Sequence, residues 1–162
     1  VEIANRIIEN ALDFANPKPL EAETANINRI IDTVLADTVV PRGVKVVRQY
    51  QSTRDISCDP YLIQQLFSNI IRNSIQSIKN DGKITIATVD EKDGVKVVVE
   101  DTGSGIAAED LGKIGEPLFS RKPRGIGLGL YIAKNIVERH HGSMRIDSEE
   151  GKGTVVTVRL PF

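Results

Sequence analysis

Apolar residues at positions 62, 63, 66, 67, 70, 71, 75 and 78 follow three-four spacing and predict an amphipathic helix from Pro60 to about Lys79. Asp59 supplies its cap and Pro60 its first turn. Elsewhere the period drops to two. "VKVVRQY" and "RDISC" alternate like strands. "KITIATVD" and "VKVVVED", joined around Asp93-Gly94, predict a hairpin, and "MRIDSEE" and "TVVTVRL", joined by "GKG", a closing one. A second helix fits about 26–38, after a short edge strand in "EAETA", and a third follows Gly129 and ends at His141-Gly142. Residues 1, 4, 8, 11 and 15 are apolar before "NPKP" stops the run. That is the seam of a coiled coil or bundle, although an amphipathic helix packed on its own domain shows the same spacing. Helices layered on one mixed sheet make an α+β two-layer sandwich.

Composition narrows the class. A chain of 162 residues suggests one domain, and at that size roughly 70% of the unfolded surface is buried without staples. Asp and Glu number 22 against 21 Lys and Arg, which points to neither nucleic acid nor a membrane surface as main partner. The one cysteine, Cys58, excludes an internal disulfide and reads as a small buried residue. No apolar run reaches the length of a membrane span and residue 1 does not open a signal peptide; a cytoplasmic domain with no membrane contact of its own is expected, and any membrane anchor of the parent protein would lie outside this chain.

Three stretches carry candidate chemistry. On the helix 60–79, Gln65, Asn69, Asn73, Gln76 and Asn80 follow at helical spacing beside the apolar face. A solvated polar face would look the same, but asparagine is a poor interior helix residue. An amide oxygen facing a cavity can bind Mg²⁺ when phosphates supply the charge. In "VVVEDTGSGI", an apolar strand delivers Asp101 ahead of Gly103 and Gly105. A plain Asp-Gly turn is the simpler reading, yet a helical turn rather than a partner strand follows. A rim carboxylate beside bare backbone suits a flat ring bearing an N–H₂ donor. In "RKPRGIGLGL", Gly127 and Gly129 precede a helix whose first N–H groups favour anions, with Arg121, Lys122 and Arg124 beside them. A flexible loop with solvated cations is the bland counterpart.

Two other motif readings fail. "DTG" also marks aspartic proteases, which are nearly all-β, whereas this chain has at least three helices. A dinucleotide fold needs its glycines directly after a strand, and "EPLFSRKP" is not one.

In this order the three pieces are far more specific. The chain resembles the catalytic, ATP-binding domain of two-component sensor histidine kinases, within the gyrase-like GHKL ATPase superfamily. "DPYLIQQLFSNIIRNSIQSI" resembles the N box, "DTGSGI" the first glycine box, "EPLFSRKPRG" the F box, "GIGLGL" the second glycine box, and "HHGSMRIDSEEGKGTVVTVRLPF" the closing pattern. "ENALDFANPKPLE" resembles the end of a dimerisation helix and its linker, which sets residues 1–17 apart from a catalytic domain over 18–162. The resemblance implies a mixed, mostly antiparallel sheet of about five strands with three helices on one face.

It also implies ATP and Mg²⁺ as ligands, and residue roles. Asn73 matches the asparagine that ligates Mg²⁺. Asn69 stands where ATP-hydrolysing relatives carry a general-base glutamate; an amide cannot take a proton from water, which favours transfer over hydrolysis. Asp101 matches the acceptor of the adenine amine, with Gly105 beside the base and Thr154 on a strand nearby. Lys122 and Arg124 match lid residues that reach the phosphates, and the lid would span about 106–126. Gly125, Gly127 and Gly129 would hinge it and cradle phosphate. The nucleotide contacts extend to Gln76, Gly103, Ile106, Ser120, Arg121, Ile126, Leu128 and Leu130. Ser74 and Ser77 depart from alanines usual in the N box, and Ile126 from a frequent threonine.

The implied activity is transfer of the γ-phosphoryl group of Mg-ATP to a histidine on a separate dimerisation domain of the same kinase, which dimerises, for relay to a response regulator. A serine kinase of this fold and a non-catalytic nucleotide-binding module are the alternatives. The chain's two histidines, His140 and His141, end a late helix, where capping is expected of them and exposure with it.

Overall fold

In a computed structural model, which describes residues 19–117, 119 and 127–162, side chains set the helix starts. Strand β1 (Glu23–Ala25) leads into helix α1 (Ile27–Ala36), where Asn26 Oδ1 accepts from the backbone N–H of Asn28 at 3.2 Å and of Arg29 at 3.4 Å. Strands β2 (Val44–Tyr50) and β3 (Ile56–Cys58) follow. Helix α2 (Pro60–Ser77) starts as expected, with Pro60 in its first turn and Asp59 Oδ1 accepting from Leu62 N–H at 3.2 Å. Then come β4 (Gly82–Asp90), β5 (Gly94–Asp101), the short helix α3 (Ala108–Leu111), α4 (Gly129–Arg139), β6 (Ser143–Glu149) and β7 (Gly153–Pro161). The helix expected over 1–15 and the boundary at residue 17 lie outside the described residues.

The main sheet has five strands in the order β2-β4-β5-β7-β6, with β2 and β4 parallel and the other pairs antiparallel. The expected edge strand does not join it: β1 pairs with β3 in a separate antiparallel ribbon. On the helix-covered face, Thr88–Val97–Val158–Met144 and Ile86–Val99–Val156–Ile146 form rows across β4, β5, β7 and β6. The next row is Ile84–Asp101–Thr154–Ser148, and there the face turns polar. Ile63, Leu66, Phe67, Ile70 and Ile71 of α2 are buried over the apolar rows, joined by Ile27 and Ile31 of α1 and Ala133 of α4. Each large apolar side chain among them contributes about 1.5–3 kcal/mol. Cys58 is buried, and that burial pushes its thiol up to about 11, so it stays neutral and inert.

Thr88 interrupts the apolar rows and is fully satisfied. Its hydroxyl donates to Asn28 Oδ1 at 2.7 Å, and its carbonyl accepts from Ser52 N–H at 3.1 Å. Ser52 Oγ in turn donates to Asp90 Oδ1 at 2.5 Å and Thr53 N–H to Asp90 Oδ2 at 3.1 Å. These donors, the Ser52 hydroxyl foremost, hold the Asp90 carboxyl below the usual aspartate range.

His140 corrects an expectation, for it is buried rather than exposed. Its Nε2 accepts from Asp59 N–H at 3.0 Å, while Nδ1 donates to the Ile136 carbonyl at 2.8 Å. Only a neutral ring protonated on Nδ1 makes both bonds. The end of α4 is thereby fastened to the start of α2. His141, exposed, adopts φ 56, which alone among the described non-glycine residues is positive. It completes a Schellman turn in which Gly142 N–H donates to the Val137 carbonyl and His141 N–H to that of Glu138.

Urea denaturation of three variants checks these contacts. His140→Ala should cost about 1–3 kcal/mol by stranding the Asp59 N–H, whereas His141→Gly should add about 1 kcal/mol because glycine takes the left-handed region freely. The Asp90 carboxyl has a folded pKa below its unfolded one, so its contribution is present above the ordinary aspartate range and lost as pH falls through the folded value. Asp90→Asn should therefore lower the midpoint at neutral pH, and the gap to wild type should narrow in acid.

Candidate functional site: a seat along helix α2

With its apolar face on the sheet, α2 carries Asn69, Asn73 and Ser77 at four-residue spacing along one flank, each half-buried. Successive members are about 6 Å apart along the axis. Gln76 lies exposed near the same end of the helix.

At the upstream end of this stripe stands the start of α4. A Cβ on Gly129 would lie 3.6 Å from Asn69 Oδ1 and 3.8 Å from Asn73 Nδ2, an ordinary contact distance. Gly127 turns the chain into the helix at φ 73. Leu128, at the cap position, offers no side-chain hydrogen bond, so the first N–H groups of α4 lack a side-chain cap among the described residues. Asn69 Nδ2 is buried with no hydrogen-bond partner among the described residues. Gly127, Leu128, Gly129 and Leu130 are all half-buried here. Donors without acceptors at a helix start suit an anion such as phosphate.

At the downstream end, Asp101 closes β5 and is buried. Its Oδ1 accepts from Gly103 N–H at 2.9 Å and lies 3.0 Å from Ser77 Oγ. A side chain on Gly103 would overlap that of Ser77, so only glycine lets the loop lie against α2. Gly105 takes φ 65, and a side chain there would overlap the Glu149 carbonyl. Ile106 follows, half-buried, ahead of α3. Thr154 is the register partner of Asp101 on β7, and its Oγ1 lies 2.9 Å from Ser148 Oγ on β6. A recess of about 340 Å³ opens at the rim of this end of the sheet, lined by Asp101, Ser148 and Thr154 together with Glu100, Asp147 and Val155 of the alternate row, and by no residue of α2.

The described part of the expected lid holds α3 and a run of turns to residue 117. Ser120, Arg121, Lys122, Arg124, Gly125 and Ile126 lie outside the described residues.

A family model described as histidine kinase-, DNA gyrase B-, and HSP90-like ATPase matches residues 58–162. The chain belongs to this ATPase family. The ATPase domain is similar to the sensor histidine kinase ZraS of Escherichia coli (strain K12), at 34% identity over 97% of this chain and 35% of that protein. It is similar to sporulation kinase C of Bacillus subtilis (strain 168), at 34% identity over 96% of this chain and 38% of the other. It thus spans little more than a third of these relatives. Among solved structures, the catalytic domain of histidine kinase ThkA superposes with a TM-score of 0.78 at 27% identity, covering 87% of this chain and 95% of that one. The histidine kinase AdeS of Acinetobacter baumannii shares the fold, with a TM-score of 0.79 at 21% identity over 99% and 79%.

In this ATPase domain the structure brings Asn69, Asn73 and Gly129 together at one end of α2, with Gly127 two residues ahead in the chain, and sets Asp101, Gly103, Gly105 and Thr154 at the other. Sequence reasoning missed Ser77, Ser148 and Gly153. Gly153 takes φ 117 at the start of β7, where a side chain would overlap the Asp101 carbonyl. The signal was available for Ser77 alone, as a departure from alanine.

Gly103→Ala should lower unfolding free energy by about 1–3 kcal/mol, since the methyl must push Ser77 or the loop aside. Gly112→Ala, with nothing within 4 Å of its Cβ, should stay within about 0.5 kcal/mol. Urea melts of the two variants make the comparison.

Proposed function

We propose that the chain is the ATP-binding catalytic domain of a sensor histidine kinase, passing the γ-phosphoryl group of Mg-ATP to a histidine on a separate dimerisation domain. The observation that carries this reading is the amide of Asn69 set against the start of α4, with its Nδ2 unpartnered among the described residues. Phosphate oxygens would complete both the amide and the uncapped N–H groups of the helix. No carboxylate occupies the Asn69 position to draw a proton from water, which favours transfer over hydrolysis.

Adenine would sit at Asp101, its amino group donating to the carboxylate, with Gly105 and Thr154 beside it. Asn73 would bind Mg²⁺ through its amide oxygen; the ion supplies neutralisation of phosphate charge. Lys122, Arg124 and Arg121 would add positive charge from the lid, with Ser120, Gly125 and Ile126 in the same segment. Phosphoryl transfer asks mainly for positioning and charge neutralisation, and these residues would provide both. The acceptor nitrogen would form the new P–N bond as the bond to the β,γ-bridging oxygen breaks and ADP leaves. Residues 1–17 would close the dimerisation helix and its linker, and a response regulator would take the phosphoryl group onward. His140 has both ring nitrogens engaged, which supports an acceptor elsewhere.

Mixed with radiolabelled Mg-ATP and the dimerisation domain of its kinase, the chain should label that domain alone, slowly, because no tether raises the effective concentration. Asn73→Ala should remove the label while costing no more than about 0.5–1.5 kcal/mol of stability, the worth of an ordinary hydrogen bond. Acid-labile label on His140 or His141 of the isolated chain, lost in the double alanine variant, would overturn the reading.

A further inference from the structure

We infer that Ser77 is a positioning residue that aims Asp101 and thereby sets the preference of the site for a 6-amino over a 6-oxo purine. The inference rests on the proposal that Asp101 accepts from the adenine amine. An aspartate's last torsion is soft and roughly two-fold, so a carboxylate keeps one orientation only if its neighbours impose it. Asp101 meets two such neighbours at the same oxygen: Gly103 N–H at 2.9 Å and Ser77 Oγ at 3.0 Å. Both lie on Oδ1, which leaves Oδ2 for the ligand.

The Ser77 hydroxyl has one proton and two acceptors, since it also lies 2.7 Å from the Ser74 carbonyl. Two oxygens 3.0 Å apart with no proton between them would repel, and a carboxylate is the stronger acceptor. The proton is therefore shared with Asp101. Ser77 also grips the loop from its other side, its carbonyl accepting from Ser104 N–H at 3.0 Å. Gly103 lies between these two bonds, pressed against the Ser77 side chain. Alanine at this position would keep the backbone bond and lose the hydroxyl. A fixed, charged acceptor attracts an exocyclic amine and repels a carbonyl oxygen in its place. A carboxylate free to swing discriminates less.

The test is calorimetric binding of ADP and of IDP, which carries a 6-oxo group, to wild type, Ser77→Cys, Ser77→Ala and Asp101→Asn. Ser77→Ala should lower ADP affinity about 3- to 10-fold and leave IDP affinity within about 2-fold. Ser77→Cys, with a weak donor of similar size, should fall between. Asp101→Asn should lower ADP affinity about 5- to 150-fold and abolish the preference. An ADP-to-IDP preference equal in wild type, Ser77→Cys and Ser77→Ala overturns the inference. So does an equal loss for both nucleotides, which is what a helix-end role alone would give. If Asp101→Asn keeps the preference, the adenine assignment itself fails; if it abolishes the preference and Ser77→Ala does not, only the role of Ser77 fails. IDP binding reports in each variant that the site is folded.

Discussion

A carboxylate taken out of water must be given donors, or it will either protonate or unfold its surroundings. Asp101 is such a group, and much of the architecture can be traced from it. Its donors are a backbone N–H two residues on and a hydroxyl on α2. The first requires the chain to turn back at once, which it does through Gly103. The second requires α2 to end beside β5, which fixes how far that helix slides along the sheet. The apolar rows beneath α2 stop at the row that contains Asp101. Core and site therefore share one register, and a slip of one residue would turn both to the opposite face of the sheet.

The fixed helix then acts as a ruler. Asn69, Asn73 and Ser77 step along its flank, with the start of α4 at one end and Asp101 at the other. About 12 Å of helix axis separates the first from the last. A ligand with an anionic end and a flat, amine-bearing end would meet both clusters along one rigid element. The precision of the site thus comes from hydrophobic burial of the opposite face of α2, not from the loops around it.

What was legible in the sequence was mostly local. Asp59-Pro60 announces α2 because cap and first turn are adjacent in the chain. The two hairpins are announced by alternation around Gly-bearing turns. Asp101 could be singled out because a strand of valines ends at it and glycines follow. What was not legible depends on partners far apart in sequence. Nothing local says that β1 leaves the main sheet to pair with β3, since an edge strand alternates in the same way wherever it pairs. Gly153 read as part of a turn, although the Asp101 carbonyl approaches it across the sheet. His140 was placed correctly at a helix end but with the wrong surroundings, because the N–H it accepts from belongs to Asp59, 81 positions away.

That last bond gives the protein an odd chemical profile. The sequence contains two histidines side by side, yet the structure offers the solvent a single imidazole. The ring of His140 has one nitrogen occupied by each of two helices and could be acylated, alkylated or metallated only after they part. His141, one residue later, projects exposed from a left-handed turn. To an acylating reagent or a metal-chelate resin, the folded domain is a one-histidine protein, and the second histidine would register only as the fold is lost.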